Sequence, residues 1–190
     1  MLDPANLRNA FSQAFPYSQY VATGSAPQQD AWCRGFDRIA LTPNQSTLIA
    51  GFERTMNVLV LSGMWCGDCS AQVPMLERIA QANPAAIRLR IGDRDVMSNV
   101  AERVRICGGL RVPTAIWLNE DFEFVSILGD RTLSRYRAMA AANLGGACPL
   151  PGAPIPADEA AATLADWVGE FERVHLILRL SPKLRQRHGD

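Results

Sequence analysis

The stretch from Asn57 to Cys69 limits the folds open to this chain more than any other. Asn57-Val58-Leu59-Val60-Leu61-Ser62 reads as a buried strand. Trp65-Cys66-Gly67-Asp68-Cys69 follows almost at once, with the apolar stripe Val73, Leu76, Ile79 and Ala80 of a helix near 66–82 behind it. Two thiols therefore sit one helical turn apart, where a strand ends and a helix begins. The thiolate is the reactive form of cysteine, and the first turn of a helix favours it, because unsatisfied N–H groups and the macrodipole both stabilise negative charge there. The pattern reads as a dithiol that cycles through a disulfide. The same spacing also serves half of a zinc site, or two cysteines of a core. Zinc calls for about four ligands; the chain has only His175 and His188, no second C-x-x-C, and Cys107 or Cys148 as further thiols.

The rest of the composition narrows partners rather than chemistry. A chain of 190 residues suits one domain with attachments. Its 19 basic residues balance 19 acidic ones, so no global field draws in nucleic acid, an anionic membrane or an acidic substrate. Residues 1–8 lack a basic segment followed by a long apolar one, and no later run approaches membrane-spanning length. The expectation is a soluble, cytoplasmic protein. Five scattered cysteines form no disulfide framework, which fits a reducing compartment.

Hydrophobic spacing places the remaining elements. Leu7, Phe11, Ala14 and Phe15 mark a helix that ends at Pro16; a polar loop follows, and Trp32, Phe36, Ile39 and Ala40 mark a second helix. Thr42-Pro43 opens a third, with Leu48, Ile49 and Phe52 as its stripe. Ile87, Leu89 and Ile91 alternate with Arg88 and Arg90 as a half-buried strand, and a short helix runs through Val96, Val100 and Val104. Residues 114–118 and 124–128 form an antiparallel hairpin, and Leu133, Tyr136 and Met139 mark a helix stopping at Gly145-Gly146. Residues 143–156 are a Gly/Pro/Ala-rich linker. Leu164, Trp167, Val168, Phe171, Val174 and Leu178 make a long amphipathic helix that packs on the core and ends before Pro182, with a frayed tail beyond. The order is that of an α/β core around a mixed sheet.

Four features, in order and at matching spacing, resemble the thioredoxin family. Trp65-Cys66-Gly67-Asp68-Cys69 resembles its W-C-G-P-C, within a bacterial branch that carries W-C-G-D-C. Pro74 stands where thioredoxins kink the active-site helix, Val112-Pro113-Thr114 resembles Ile-Pro-Thr with its cis proline, and Gly129 matches a glycine ending the last hairpin strand. The likeness covers roughly residues 43–144, with a helical extension over 1–42 and the linker and C-terminal helix over 145–190. It implies a thioredoxin-like fold: a central mixed β-sheet flanked by helices, plus the added helices at both ends. It further implies that Cys66 attacks a substrate disulfide and Cys69 resolves the mixed disulfide. Trp65, Gly67, Asp68, Val112 and Pro113 would form the substrate-binding surface, the Val112 backbone pairing with an extended segment.

The function that follows from the resemblance is protein-disulfide reduction without metal or organic cofactor, with electrons returned by a thioredoxin reductase or a small thiol. A glutaredoxin-like reductase of small-thiol mixed disulfides and a redox-sensing adaptor are the alternatives. Two departures matter. Val60 stands where thioredoxins bury an aspartate that assists proton movement at the second thiol, so water or another group must serve Cys69. Asp68 replaces proline, and its carboxylate beside a developing thiolate raises the thiol pKa and favours a reducing dithiol. Cys33 and Cys107 read as packed core thiols, and Cys148 as an exposed one in the linker.

Overall fold

In the computed structural model, which describes residues 2–143 and 158–189, strand β1 (Met56–Ser62) is the axis of the molecule. All seven of its residues are buried. Successive side chains of a strand point to opposite faces, so a strand buried throughout requires both faces of its sheet to be covered. On one side β1 pairs in parallel with β2 (Ile87–Asp93), Val60 opposite Ile91; on the other it pairs antiparallel with β3 (Thr114–Leu118), Val60 opposite Ala115. β4 (Phe124–Gly129) pairs antiparallel with β3, giving the order β2-β1-β3-β4. The parallel pair needs a crossover, supplied by α5 (Gly67–Ala82). In β2 the expected alternation holds at its start: Ile87 and Leu89 are buried and Arg88 is exposed.

Before the sheet come α1 (Pro4–Gln13), α2 (Tyr17–Val21), α3 (Ala26–Asp37) and α4 (Pro43–Ala50). Asp3 caps α1 through the Ala5 N–H, and Thr42 and Gln45 form a capping box on α4 with Pro43 in its first turn. Phe15, between α1 and α2, forms two backbone hydrogen bonds with Ile91 of β2, at 2.9 and 2.8 Å. The segment after Pro16 is not the polar loop its composition predicts. It holds α2, with Tyr20 and Val21 buried; five residues are too few to show a repeating stripe. Asn83, just past α5, ties α4 down: its amide donates to the Ile49 and Phe52 carbonyls, both at 2.9 Å, and its oxygen accepts the Ala86 N–H at 3.1 Å.

Three other expectations need correction. The helix through Val96 to Val104 shrinks to α6 (Ser98–Ala101), with Val96 82% exposed. The Asp93 carboxylate accepts the Asp95 N–H at 2.8 Å and turns the chain there, leaving Val96 outside. In α7 (Leu133–Asn143) the apolar stripe is not core, since Leu133 and Tyr136 are exposed while Ser134 is buried. The stop at Gly145-Gly146, and nearly all of the linker, lie outside the described residues. Finally, the tail is not frayed: α9 (Pro182–His188) buries Leu184, and Lys183 and Arg187 pair with Glu123 and Asp121 of the β3–β4 turn.

The long helix α8 (Glu159–Leu180) packs as its stripe predicts. Trp167 and Phe171 meet Trp117 of β3, the Phe171 ring edge-on at 5.4 Å between centroids. Ser134 of α7 donates its N–H to Asp166 of α8 at 2.7 Å.

Candidate active site

Where β1 ends at Ser62, the chain passes through Gly63 and Met64 to Trp65. The Trp65 ring folds back over Gly63 so closely that a Cβ there would lie 2.7 Å from the indole. The residue is nonetheless 58% exposed. The Arg94 guanidinium sits 4.9 Å from the indole centroid, held by its donation to the Leu110 carbonyl at 2.9 Å. The loop is thus an apolar surface fixed from behind.

Cys66 is the N-cap of α5, with extended backbone (φ −90°, ψ 120°), and its sulfur accepts the Cys69 N–H at 3.3 Å. An N-cap acceptor is ordinarily a hydroxyl or carboxylate. A sulfur in that position is favoured as an anion. The Cys66 pKa is accordingly lowered from 9.0 to about 6, first by the hydrogen bond with the Cys69 thiol and then by the Cys69 and Asp68 N–H groups; burial and the Asp68 charge oppose this. Cys69 is fully buried, and burial together with its donation to Cys66 pushes its own pKa up strongly. The pair is therefore asymmetric, one sulfur half-buried and acidic, the other enclosed and protonated. Both are unpaired thiols here.

Across from the thiols, the Cys66 sulfur lies 3.6 Å from the Val112 carbonyl oxygen. The Val112–Pro113 peptide bond is cis. Thr114 starts β3, and its hydroxyl donates back to the Arg111 carbonyl at 2.9 Å. Gly129 ends β4 against this loop: a Cβ there would sit 2.7 Å from the Pro113 oxygen and 2.8 Å from the Thr114 hydroxyl, so no side chain fits. Gly67, by contrast, opens α5 with free space where a Cβ would go. The structure brings Trp65, Cys66, Gly67, Cys69 and Val112-Pro113 together at one end of the sheet.

Asp68 has partners that the sequence reading did not name. Arg131 donates to its carboxylate at 2.5 Å, and Arg135 at 3.2 Å. Arg131 also pairs with Asp130 at 2.9 Å, and Asp130 faces Arg111 at 3.7 Å. A chain of alternating charge thus runs from the first turn of α5 to the residue before Val112. The Asp68 carboxylate opposes the Cys66 thiolate as expected, yet it is already held by two guanidiniums, and the donors to Cys66 outweigh it. The missed signal was Arg131 and Arg135, four apart at the start of a helix whose apolar stripe proved exposed. Cys33 and Cys107 are exposed rather than packed in the core. Cys107 lies in a turn with a positive φ of 49°. Cys148 lies outside the described residues. Among the described residues, no group of three or more His, Cys, Asp and Glu side chains is placed to hold a metal ion, and no helix is long and apolar enough to cross a membrane.

No curated protein sequence matches the chain. Among solved structures, a protein of unknown function from Pseudomonas aeruginosa is similar at 21% identity and a TM-score of 0.69, over 92% of this chain and 97% of the other. An HIV epitope-scaffold protein is similar at 22% identity and a TM-score of 0.62, over 92% and 98%. Mitochondrial thioredoxin 3 from Saccharomyces cerevisiae aligns at 23% identity over 50% of this chain and 86% of its own, with a TM-score of 0.33. The first two share the fold: a mixed four-stranded sheet flanked by helices, with helices added at both ends. A thioredoxin family model matches residues 14–142, well over half of the sequence, and on that ground the chain belongs to the thioredoxin family.

Proposed function

We propose that the protein is a thiol–disulfide oxidoreductase that reduces protein disulfides through Cys66 and Cys69. The observation that carries this reading is the asymmetry of the two sulfurs: Cys66 is half-buried with its pKa lowered to about 6, and Cys69 is enclosed with its pKa raised. The Cys66 thiolate attacks one sulfur of a substrate disulfide; the Cys66–substrate bond forms, and the other substrate sulfur leaves with the electron pair and takes a proton. Cys69 then attacks Cys66, the mixed disulfide breaks, and the second substrate sulfur leaves in the same way. Two electrons have passed from the dithiol, which ends as the Cys66–Cys69 disulfide. A thioredoxin reductase or a small-thiol donor restores it, in a reducing, cytoplasmic setting.

The exposed Trp65 ring and the Val112 carbonyl beside Cys66 suit an extended protein segment laid along the loop as an added strand. The terminal helices spend most of their apolar stripes on the core, which favours an enzyme over an adaptor whose helices bind a partner. The test is reduction of a disulfide-bonded protein with a chemical dithiol as donor. Wild type turns over; Cys66→Ser is inactive; Cys69→Ser accumulates a mixed disulfide with the substrate. Equal activity of Cys69→Ser and wild type would instead assign the protein to small-thiol mixed disulfides.

A further inference from the structure

Resolution of a mixed disulfide requires negative charge to develop on Cys69, a sulfur with no exposed surface. β1 offers no acid for this: Val60 is fully buried between Ile91 and Ala115. Two residues further on, however, the strand ends in Ser62, also fully buried, whose hydroxyl lies near enough to the Cys69 thiol and to the Tyr20 phenol to act on both. Tyr20 comes from α2 and is itself 2% exposed. Among the described residues, neither the Ser62 nor the Tyr20 oxygen completes a hydrogen bond of good geometry. Two buried hydroxyls close together, each short of a full partner, are costly in a resting core. An anion at Cys69 would give the Ser62 hydroxyl an acceptor and leave the Ser62 oxygen to accept from Tyr20.

We propose that Ser62 and Tyr20 form a hydroxyl pair that stabilises the Cys69 thiolate during resolution, so that the helical segment before the sheet contributes to the reacting centre. The inference rests on the reductase reading above. Once charge develops on Cys69, the Ser62 O–H turns to donate to the sulfur and the Ser62 oxygen is left to accept from the Tyr20 O–H, each bond strengthening the other. As Cys69 attacks, its proton is taken up by the departing substrate thiolate, directly or through water; the Cys66–substrate bond breaks and the Cys66–Cys69 bond forms. The hydroxyls add nothing to that balance. They lower the energy of the charged sulfur by hydrogen bonding, where a carboxylate would act by accepting the proton.

The surroundings keep the pair in its donor form. Burial pushes the Tyr20 pKa far up, and the charges of Asp93, Cys69 and Cys66 push it the same way, so the phenol stays protonated throughout the working range. Asp93 pairs across the sheet with Ser62. Tyr20 is in turn held by Trp32 of α3, 5.5 Å between ring centroids. α3 lies against α5 so closely that a Cβ on Gly35 would stand 2.5 Å from the Ser70 carbonyl. Nothing in the pattern of α2 marked Tyr20 as more than a core residue.

The test follows the reduced protein mixed with an aromatic disulfide that releases a coloured thiolate at each step. The first release reports attack by Cys66 and the second reports resolution by Cys69. Ser62→Ala is expected to slow the second release about tenfold at neutral pH, the loss of one hydrogen bond to a charged group, and to move its pH profile upward. Tyr20→Phe, which keeps the ring and its packing, is expected to slow it by a smaller factor in the same direction. The first release stays within about twofold in both, and Ser62→Thr, which retains the hydroxyl, resolves faster than Ser62→Ala. Variants that resolve at the wild-type rate with an unmoved pH profile would overturn the pairing. Absence of a second release from wild type would refute the reductase reading itself, a separate outcome. Should Ser62→Ala not fold, Tyr20→Phe decides alone.

Discussion

Removing the Cys69 thiol while keeping its backbone N–H separates the two kinds of donor that acidify Cys66. In Cys69→Ala the 3.3 Å bond from the residue 69 N–H remains, and so do the helix start and the Asp68 N–H; only the side-chain hydrogen bond, the largest single cause of the lowered pKa, is lost. A hydrogen bond to a charged group contributes roughly 1.5–3 kcal/mol. Cys66 is half open to water, so screening reduces that to about 1.4 kcal/mol, or about one pKa unit. The Cys66 midpoint should therefore rise from about 6 to roughly 7, still well below the ordinary 9.0. At pH 7 the thiolate fraction falls from about 90% to about half, against about 1% for an ordinary thiol. The assay is the rate of alkylation by iodoacetamide against pH, with mass spectrometry to assign it to Cys66 rather than to the exposed Cys33 or Cys107. A midpoint that stays at about 6 would show that the Cys69 thiol contributes nothing. One that returns to 9.0 would show that the backbone donors do not act, and the helix-start argument would fall.

Asp68→Asn removes a charge that opposes the thiolate and leaves Arg131 and Arg135 without their shared acid. The Cys66 alkylation midpoint should drop by up to about one unit and the dithiol become less reducing, measured against a glutathione redox buffer, at a cost of about 1–3 kcal/mol in stability; a higher midpoint or a more negative potential refutes this. Asn83→Ala removes the amide that donates to the Ile49, Ala50 and Phe52 carbonyls and the oxygen that accepts the Ala86 N–H ahead of β2. A loss of about 2–4 kcal/mol in denaturant unfolding is expected, and one below about 0.5 kcal/mol would deny the tie its importance. His175 accepts the Glu53 N–H at 3.1 Å and stacks on Phe52, and burial, then Arg179, lowers its pKa below 6.5. The unfolded chain thus binds the proton more tightly than the folded one, so this contribution is complete above about pH 6.5 and is lost as the pH falls below it. Urea midpoints at about pH 5 and pH 7.5 should differ less in His175→Gln than in wild type; an equal difference in both would rule His175 out as the cause.

Legibility in the sequence followed the range over which each signal acts. Strand β1, the α5 stripe, the β3–β4 hairpin and α8 all carry period and length enough to be read locally. The two thiols were legible from their place between a strand and a helix, whereas Val112-Pro113 and Gly129 were picked out only by their likeness to the thioredoxin family. What stayed hidden was made by contacts between distant segments. Asp68 is 63 positions from Arg131, and Ser62 is 42 from Tyr20; neither pairing leaves a mark in local periodicity. α9 was hidden for the same reason. Its seven residues read as a charged tail, and only Leu184 in the core and the ion pairs to the β3–β4 turn hold it in place.

The two hydrogen bonds between Phe15 and Ile91 carry a consequence for solubility. β2 is the outermost strand on its side, and its free N–H and C=O groups would template pairing with a second chain. Phe15 occupies part of that row, between α1 and α2, so an incoming strand would meet Ile91 already paired. The residues ahead of the sheet thus act as an edge guard. A version trimmed to begin at α4 would lose that cover on β2 and should self-associate more readily than the full chain at the same concentration.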